Sequence, residues 1–233
     1  YGTGCFALTN TGTDIIESEN GLLTTVAYQI EGEEPLYALE GSVPIAGAAV
    51  QWLRDNLNII KSSDEIESLA MEEKDNGDVY FVPAFSGLFS PHWDETARGS
   101  LFGLTRYSNK SHIARSVLES VAFQSFELLQ SMEKDLGIEF QNLKVDGGMV
   151  SNNLLMQFQS DILNKTIISQ EINEITALGA GVASYIFAEN LNIENVGDFI
   201  STFKTWNPNM SNESRENLLT SWFKAIEKSK HWL

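Results

Sequence analysis

Apolar and polar positions alternate with a period near two along the first forty residues, which predicts three strands. CFALTN (5–10) and LLTTVAYQI (22–30) are separated by turn residues around Thr11 and Gly12, and LYALE (36–40) follows the polar EGEEP. Three strands in succession predict a meander. The period then changes. A helix is expected from Pro44 through AGAAVQWLRDNL (46–57), capped by Ser42, with Pro44 in the first turn where its missing N–H costs nothing. A short acidic helix follows, opened by Ser62 and Glu65 in capping-box spacing. VYFVPAF (79–85) and LFGLT (101–105) read as strands flanking a long loop, SGLFSPHWDETARGS. From Ser111 to Gly137, residues Ile113, Val117, Val121, Leu128 and Met132 keep one helical face, and Gly137 is the expected C-cap. Next come a strand in LKVDGG (143–148), a helix over SNNLLMQFQSDIL capped by Ser151, and a strand in KTIIS (165–169). A helix over EITALGAGVASYIFAEN behind Asn173 and a last helix over about 212–230 complete the order. Three strands, a helix, then strand and helix alternating predict an α/β fold, a mixed sheet with helices on both faces.

Composition narrows the function classes. The 233 residues are 42% hydrophobic and 20% charged, ordinary for a globular protein with its own core. The longest apolar runs are far shorter than the ~20 residues of a membrane span, and no leader pattern opens the chain, so a cytoplasmic protein is expected. Cys5 is the lone cysteine, which excludes an internal disulfide. His92, His112 and His231 are too scattered to suggest a zinc site, and no metal ligand is assigned. Acidic residues outnumber basic ones by 32 to 15, a formal charge of −17, which argues against nucleic acid or an anionic membrane as partner. A phosphate-bearing ligand would therefore be held by backbone dipoles or by Mg²⁺.

Three glycine sites are candidates for such a role: YGTG (1–4), VDGGMVSN (145–152) and ALGAG (177–181). Glycine lets a backbone approach a ligand closely, and turn amides pointing one way form a nest for phosphate oxygens. In the second, a strand breaks at Gly147 and Gly148 and feeds a helix, placing helix-start amides beyond a strand end. Taken alone, the same pattern also fits a plain tight connection. Neither G-x-G-x-x-G nor a G-K-[ST] loop is present, so neither a dinucleotide dehydrogenase nor a Walker-type ATPase is indicated.

The blocks YGTGCF, NGLLTTVAY, AGAAVQWLRDNL, YFVPAFSGL, ARGSLFGLT, VDGGMVSNNLLMQFQSDIL and EITALGAG resemble the glycerol-phosphorylating branch of the FGGY carbohydrate kinases, within the actin-like ATPase superfamily. GSLFGLTRYSNKSHIARSVLE (99–119) is similar to that family's second signature, and the resemblance runs from Tyr1 to about Asn190. It implies a ribonuclease-H-like domain over residues 1–233, the C-terminal half of a longer enzyme, with YGTG a hinge turn in mid-protein. The implied reaction moves the γ-phosphoryl of MgATP to the terminal hydroxyl of glycerol, giving sn-glycerol 3-phosphate and ADP. By motif, Thr3, Gly47, Gln51, Gly148 and Asn152 are implied to contact the nucleotide, and Phe6 to cover the carbon skeleton of glycerol. ATP and Mg²⁺ are the implied cofactors, and the partner is the protein's own N-terminal domain, with homo-oligomerisation left open. The family's aspartate base and the residues that clasp glycerol belong to that absent half. No catalytic residue is therefore assigned in this chain, and it is expected to be inactive alone. Cys5 is read as a small buried residue and Asp146 as a turn former. His92 stands where the family commonly has tyrosine, and Pro44 where it usually has another apolar residue. An FGGY kinase for another polyol or a ketose, and a non-catalytic actin-like module, are the alternatives.

Overall fold

In the computed structural model, which describes residues 1–172, 174–189 and 202–233, the first strands are β1 (Cys5–Gly12), β2 (Leu23–Tyr28) and β3 (Leu36–Val43). They do not form a meander. β3 lies between the other two and runs antiparallel to both, with Cys5 opposite Val43 and Leu23 opposite Glu40. The reason is burial: Ala38, Leu39, Gly41 and Val43 of β3 are buried, whereas β2 is exposed along nearly all its length. The central place goes to the strand with the most surface to remove from water.

Helix starts also depart from expectation. α1 spans Gly47–Asp55, so Ser42 stays in β3 and Pro44 lies outside the helix. No side chain caps it. Its first amides turn instead to distant main chain: Ala46 and Ala48 donate to the Thr3 carbonyl at 3.0 Å each, and Gly47 to the Gly2 carbonyl at 3.0 Å. In α2 (Glu65–Ala70) the capping box does not close, because the Glu65 carboxylate accepts from the Lys61 amide at 2.9 Å.

β4 (Tyr80–Val82) and β5 (Ser100–Phe102) pair antiparallel at the two ends of the long loop. α3 (Lys110–Leu136) matches its expected span, capped by Asn109 and closed by Gly137 at φ 64°. β6 (Asn142–Val145) pairs parallel with β7 (Thr166–Gln170), and β8 (Thr202–Trp206), which the sequence pattern missed, pairs antiparallel with β7. That sheet is mixed, as expected. A 3₁₀ turn, Gly148–Ser151, takes up Ser151, the expected cap, so α4 (Asn153–Leu163) is capped by Asn152 instead. α5 (Ile175–Glu189) and α6 (Asn212–Ser229) complete the described elements; the Asn173 cap lies outside the described residues. Among the described residues the strands form three small sheets. Tyr1, Cys5 and Phe6, on and before β1, and Val145 and Asp146, at the end of β6, line a cavity of about 90 Å³.

α3 is the element the others share. Phe123 stacks on Trp222 of α6, with ring centroids 4.9 Å apart, and meets Phe158 of α4 edge-on at 5.4 Å. His92 Nε2 lies 2.7 Å from Glu127 Oε1, fastening the long loop to the same helix. Two turns nearer its start, buried Glu119 accepts from Asn76 Nδ2 and Arg115 Nε, each at 2.9 Å. Burial pushes the Glu119 carboxyl from 4.5 up to about 7, and Arg115 only partly offsets this.

Because the folded state holds this proton to higher pH than the unfolded chain, the Glu119 contribution to stability is complete below pH 4.5 and lost as pH rises through about 7. The loss is on the order of 3 kcal/mol. Urea unfolding at stepped pH should show this decline, and Glu119→Gln should flatten it.

Candidate functional site

The site is built from three stretches of backbone that approach more closely than side chains allow. The Tyr1 nitrogen donates to the Asp146 carbonyl at 2.9 Å, and the Met149 amide donates to the Tyr1 carbonyl at 3.2 Å. The next two carbonyls, of Gly2 and Thr3, take the first amides of α1. Residues 1–3 are thus sewn to α1 on one side and to the turn after β6 on the other. The Tyr1 hydroxyl anchors the segment further, its single proton shared between two acceptors, Ser125 Oγ and Gln159 Oε1, both at 3.2 Å. At Gly47 a Cβ would stand 2.6 Å from the Gly2 carbonyl oxygen. At Gly147 it would stand 2.5 Å from the Tyr1 oxygen, and that residue also holds φ at 93°. Gly148 differs from its neighbour: a Cβ there meets nothing within 4 Å.

This junction forms one end of a cavity of about 480 Å³, and Thr3, Gly47, Gln51, Gly148 and Asn152, the five expected nucleotide contacts, all line it. Thr3, Gln51 and Gly148 are exposed at its surface. Asn152 is buried, and its Oδ1 accepts the Leu155 amide at 2.8 Å, so the residue caps α4 while lining the cavity. Val50, Ile66, Leu118 and Met149 supply apolar walls. Ser63, Asp64 and Glu67 line it as well, and the sequence reading missed them. Their signal was present in the acidic start of α2, which reads equally well as a capping pattern. The third glycine site does not join the other two: Gly179 and Gly181 lie within α5, outside the cavity lining.

Phe6 is placed elsewhere. It lies on β1 beside the 90 Å³ cavity, 65% exposed. Burial pushes the Cys5 thiol up to about 12 and the Tyr1 hydroxyl above its ordinary range, so at neutral pH neither is a nucleophile or a base. No group of three or more His, Cys, Asp or Glu side chains among the described residues is arranged to hold a metal ion. A third cavity, of about 410 Å³ between α3 and α6, contains Lys165 and Arg215, but Lys165 Nζ is held by Glu133 at 2.8 Å and Arg215 by the Ile162 carbonyl at 2.7 Å. No helix among the described residues is long and apolar enough to cross a membrane.

Residues 1–186 match the FGGY family of carbohydrate kinases, C-terminal domain. The curated glycerol kinases of Brucella anthropi and Methylobacterium radiotolerans are each 52% identical to this chain over its whole length. The chain spans 47% and 46% of them, about half the length of these relatives. Among solved structures, Plasmodium falciparum glycerol kinase with ADP superposes with a TM-score of 0.89 at 37% identity, over 98% of this chain and 46% of that one. Gluconate kinase from Lactobacillus acidophilus superposes with a TM-score of 0.78 at 22% identity, over 97% of this chain and 45% of that one, a likeness of fold alone. The ribonuclease-H-like class expected from the sequence therefore holds.

The two adjacent glycines should respond differently to substitution. Gly147→Ala should lose roughly 1 to 3 kcal/mol, from the left-handed conformation and the contact with Tyr1. Gly148→Ala should stay within about 0.5 kcal/mol of the parent. Chemical denaturation of both variants checks the contrast.

Proposed function

We propose, from the premise that this chain belongs to the FGGY family of carbohydrate kinases, that it is the nucleotide-binding half of an ATP-dependent glycerol kinase. The whole enzyme would transfer the γ-phosphoryl of ATP to the terminal hydroxyl of glycerol, yielding sn-glycerol 3-phosphate and ADP. The observation that carries the reading is the cavity whose wall is bare backbone at Gly2, Gly47 and Gly148. An acidic protein holds phosphates by main-chain dipoles more readily than by side chains it has few of, and glycine permits that approach.

In this reading Thr3 sets its hydroxyl beside the terminal phosphates, Gly47 and Gln51 border the nucleotide from α1, and Gly148 and Asn152 border it from across the cavity. Phosphoryl transfer needs positioning and charge stabilisation more than covalent chemistry, which suits a site made of fixed turns. Mg²⁺ fits as an ion carried by the phosphates and water, the usual way this ion binds; when bound it supplies neutralisation of phosphate charge. The base that accepts the hydroxyl proton is assigned to the N-terminal domain, the partner of this one. This chain contributes Phe6, whose exposed ring is free to cover the carbon skeleton of glycerol. The protein works in the cytoplasm.

A Gly148→Val substitution should leave the melting temperature nearly unchanged, because the added carbons enter open space, yet remove most of the stabilisation that ADP confers. Thermal melting with and without ADP tests this; an undiminished ADP shift would move the nucleotide elsewhere.

Phe6→Ala in the intact protein should raise the Michaelis constant for glycerol roughly 5- to 30-fold, from the 1 to 2 kcal/mol of apolar burial forfeited, with that for ATP little changed. A coupled phosphorylation assay measures both, and absence of any glycerol turnover by the intact protein would refute the reading.

A further inference from the structure

The cavity has two unlike ends. The 3₁₀ turn Gly148–Ser151 forms one wall, beginning against Tyr1 and leading to Leu154, whose amide donates to Glu67 Oε1 at 3.0 Å. Near Tyr1 the lining is Gly2, Thr3, Gly47 and Gly148, which carry no charged side chain. Near Leu154 it is Glu67, with Ser63 and Asp64 from the turn leading into α2. A helix start ordinarily attracts an anion through its free amides. Here that attraction is spent inside the protein: the Leu155 amide goes to Asn152 Oδ1 and the Leu154 amide to Glu67. A polyanion is therefore turned away from the start of α4 and toward the glycines. The apolar walls of Val50, Ile66, Leu118 and Met149 lie along the rest, fit for a flat ring.

We infer that Glu67 is a specificity-determining residue for the nucleobase, which favours a purine bearing an exocyclic amine over one bearing a carbonyl oxygen at the same position. The inference rests on the reading of this cavity as a nucleotide site. A carboxylate only accepts hydrogen bonds. An amine facing it donates, whereas a carbonyl oxygen there leaves two acceptors opposed and neither satisfied, the arrangement that discriminates most strongly between otherwise similar ligands. With the base drawn to Glu67, the phosphates extend toward Gly2, Thr3 and Gly148.

ADP and inosine diphosphate carry an amine and a carbonyl oxygen, respectively, at this purine position, and calorimetry on the intact protein can compare them. The parent should bind ADP at least tenfold more tightly. Glu67→Gln keeps an oxygen for the Leu154 amide but gains a donor and loses the charge, so the preference should fall to about threefold or less with the melting temperature near the parent's. Glu65→Gln, at an exposed carboxylate of the same helix that lies outside the cavity lining, should keep the parent preference. If Glu67→Gln weakens both ligands equally, Glu67 is only a brace between α2 and α4 and the inference fails. Asp64 lines the same end, and a collapse of preference in Asp64→Asn with Glu67→Gln unchanged would place the role on that carboxylate and overturn the inference. If ADP binds the parent with no preference over inosine diphosphate, this inference alone is lost. If neither ligand binds the parent, the nucleotide reading of the cavity goes with it.

Discussion

Everything near the candidate site depends on one close approach of main chain to main chain. Residues 1–3 lie between the start of α1 and the turn after β6, and their carbonyls accept amides from both. The distances leave no room for a Cβ at Gly47 or Gly147. Helix α1 has no side-chain cap because this segment already supplies its acceptors. The turn at 146–149 takes the path it does because Tyr1 bonds it at two places. The cavity is the space left beside that junction, so backbone sets its end at the glycines while the side chains of Val50, Ile66, Leu118 and Met149 set its walls.

How much of this was readable in the sequence follows from which interactions are local. α3 was fully visible, since its periodicity, its amphipathic face and Gly137 all lie within it. The two glycine turns that meet at the cavity were visible as turns, and their resemblance to a known family placed Thr3, Gly47, Gln51, Gly148 and Asn152 together. The cap of α1 was not, because its acceptors lie more than forty residues away in sequence. Ser42 and Pro44 offered a plausible local start that the distant carbonyls displaced. The central position of β3 was hidden for a similar reason: strand order depends on which strand buries most, and alternation alone does not rank them. β8 escaped because TFKTW is mostly exposed and carries a lysine at its centre, so it has the look of a loop. Glu67 was overlooked because an acidic residue early in a short helix has an ordinary explanation.

The placement of charge in and around α3 completes the picture. Glu119 and Glu127 are buried on one helix, each paired with a residue that fastens another part of the chain: Asn76 before β4, and His92 in the long loop. The histidine that departs from the family pattern thus has a partner of matching chemistry. These polar ties, together with the Phe123–Trp222 stack, hold the loop, α6 and β4 to the helix whose Leu118 forms part of the cavity wall. The rigidity of the site is in this sense borrowed from a core some distance behind it.

That the cap of α1 is made of main-chain carbonyls also bears on how the protein tolerates change over generations. A side-chain cap is lost by a single codon change, but a peptide carbonyl is specified by no codon in particular and survives every substitution at its own position. Gly2 and Thr3 can therefore exchange side chains without releasing the helix, so long as the chain keeps its path. The vulnerability is displaced onto the residues that face these carbonyls, where the damage comes from adding atoms rather than removing them. Change near this junction is thus filtered for size at Gly47 and Gly147, whereas at Gly2 and Thr3 the filter is the cavity they line rather than the bonds they make.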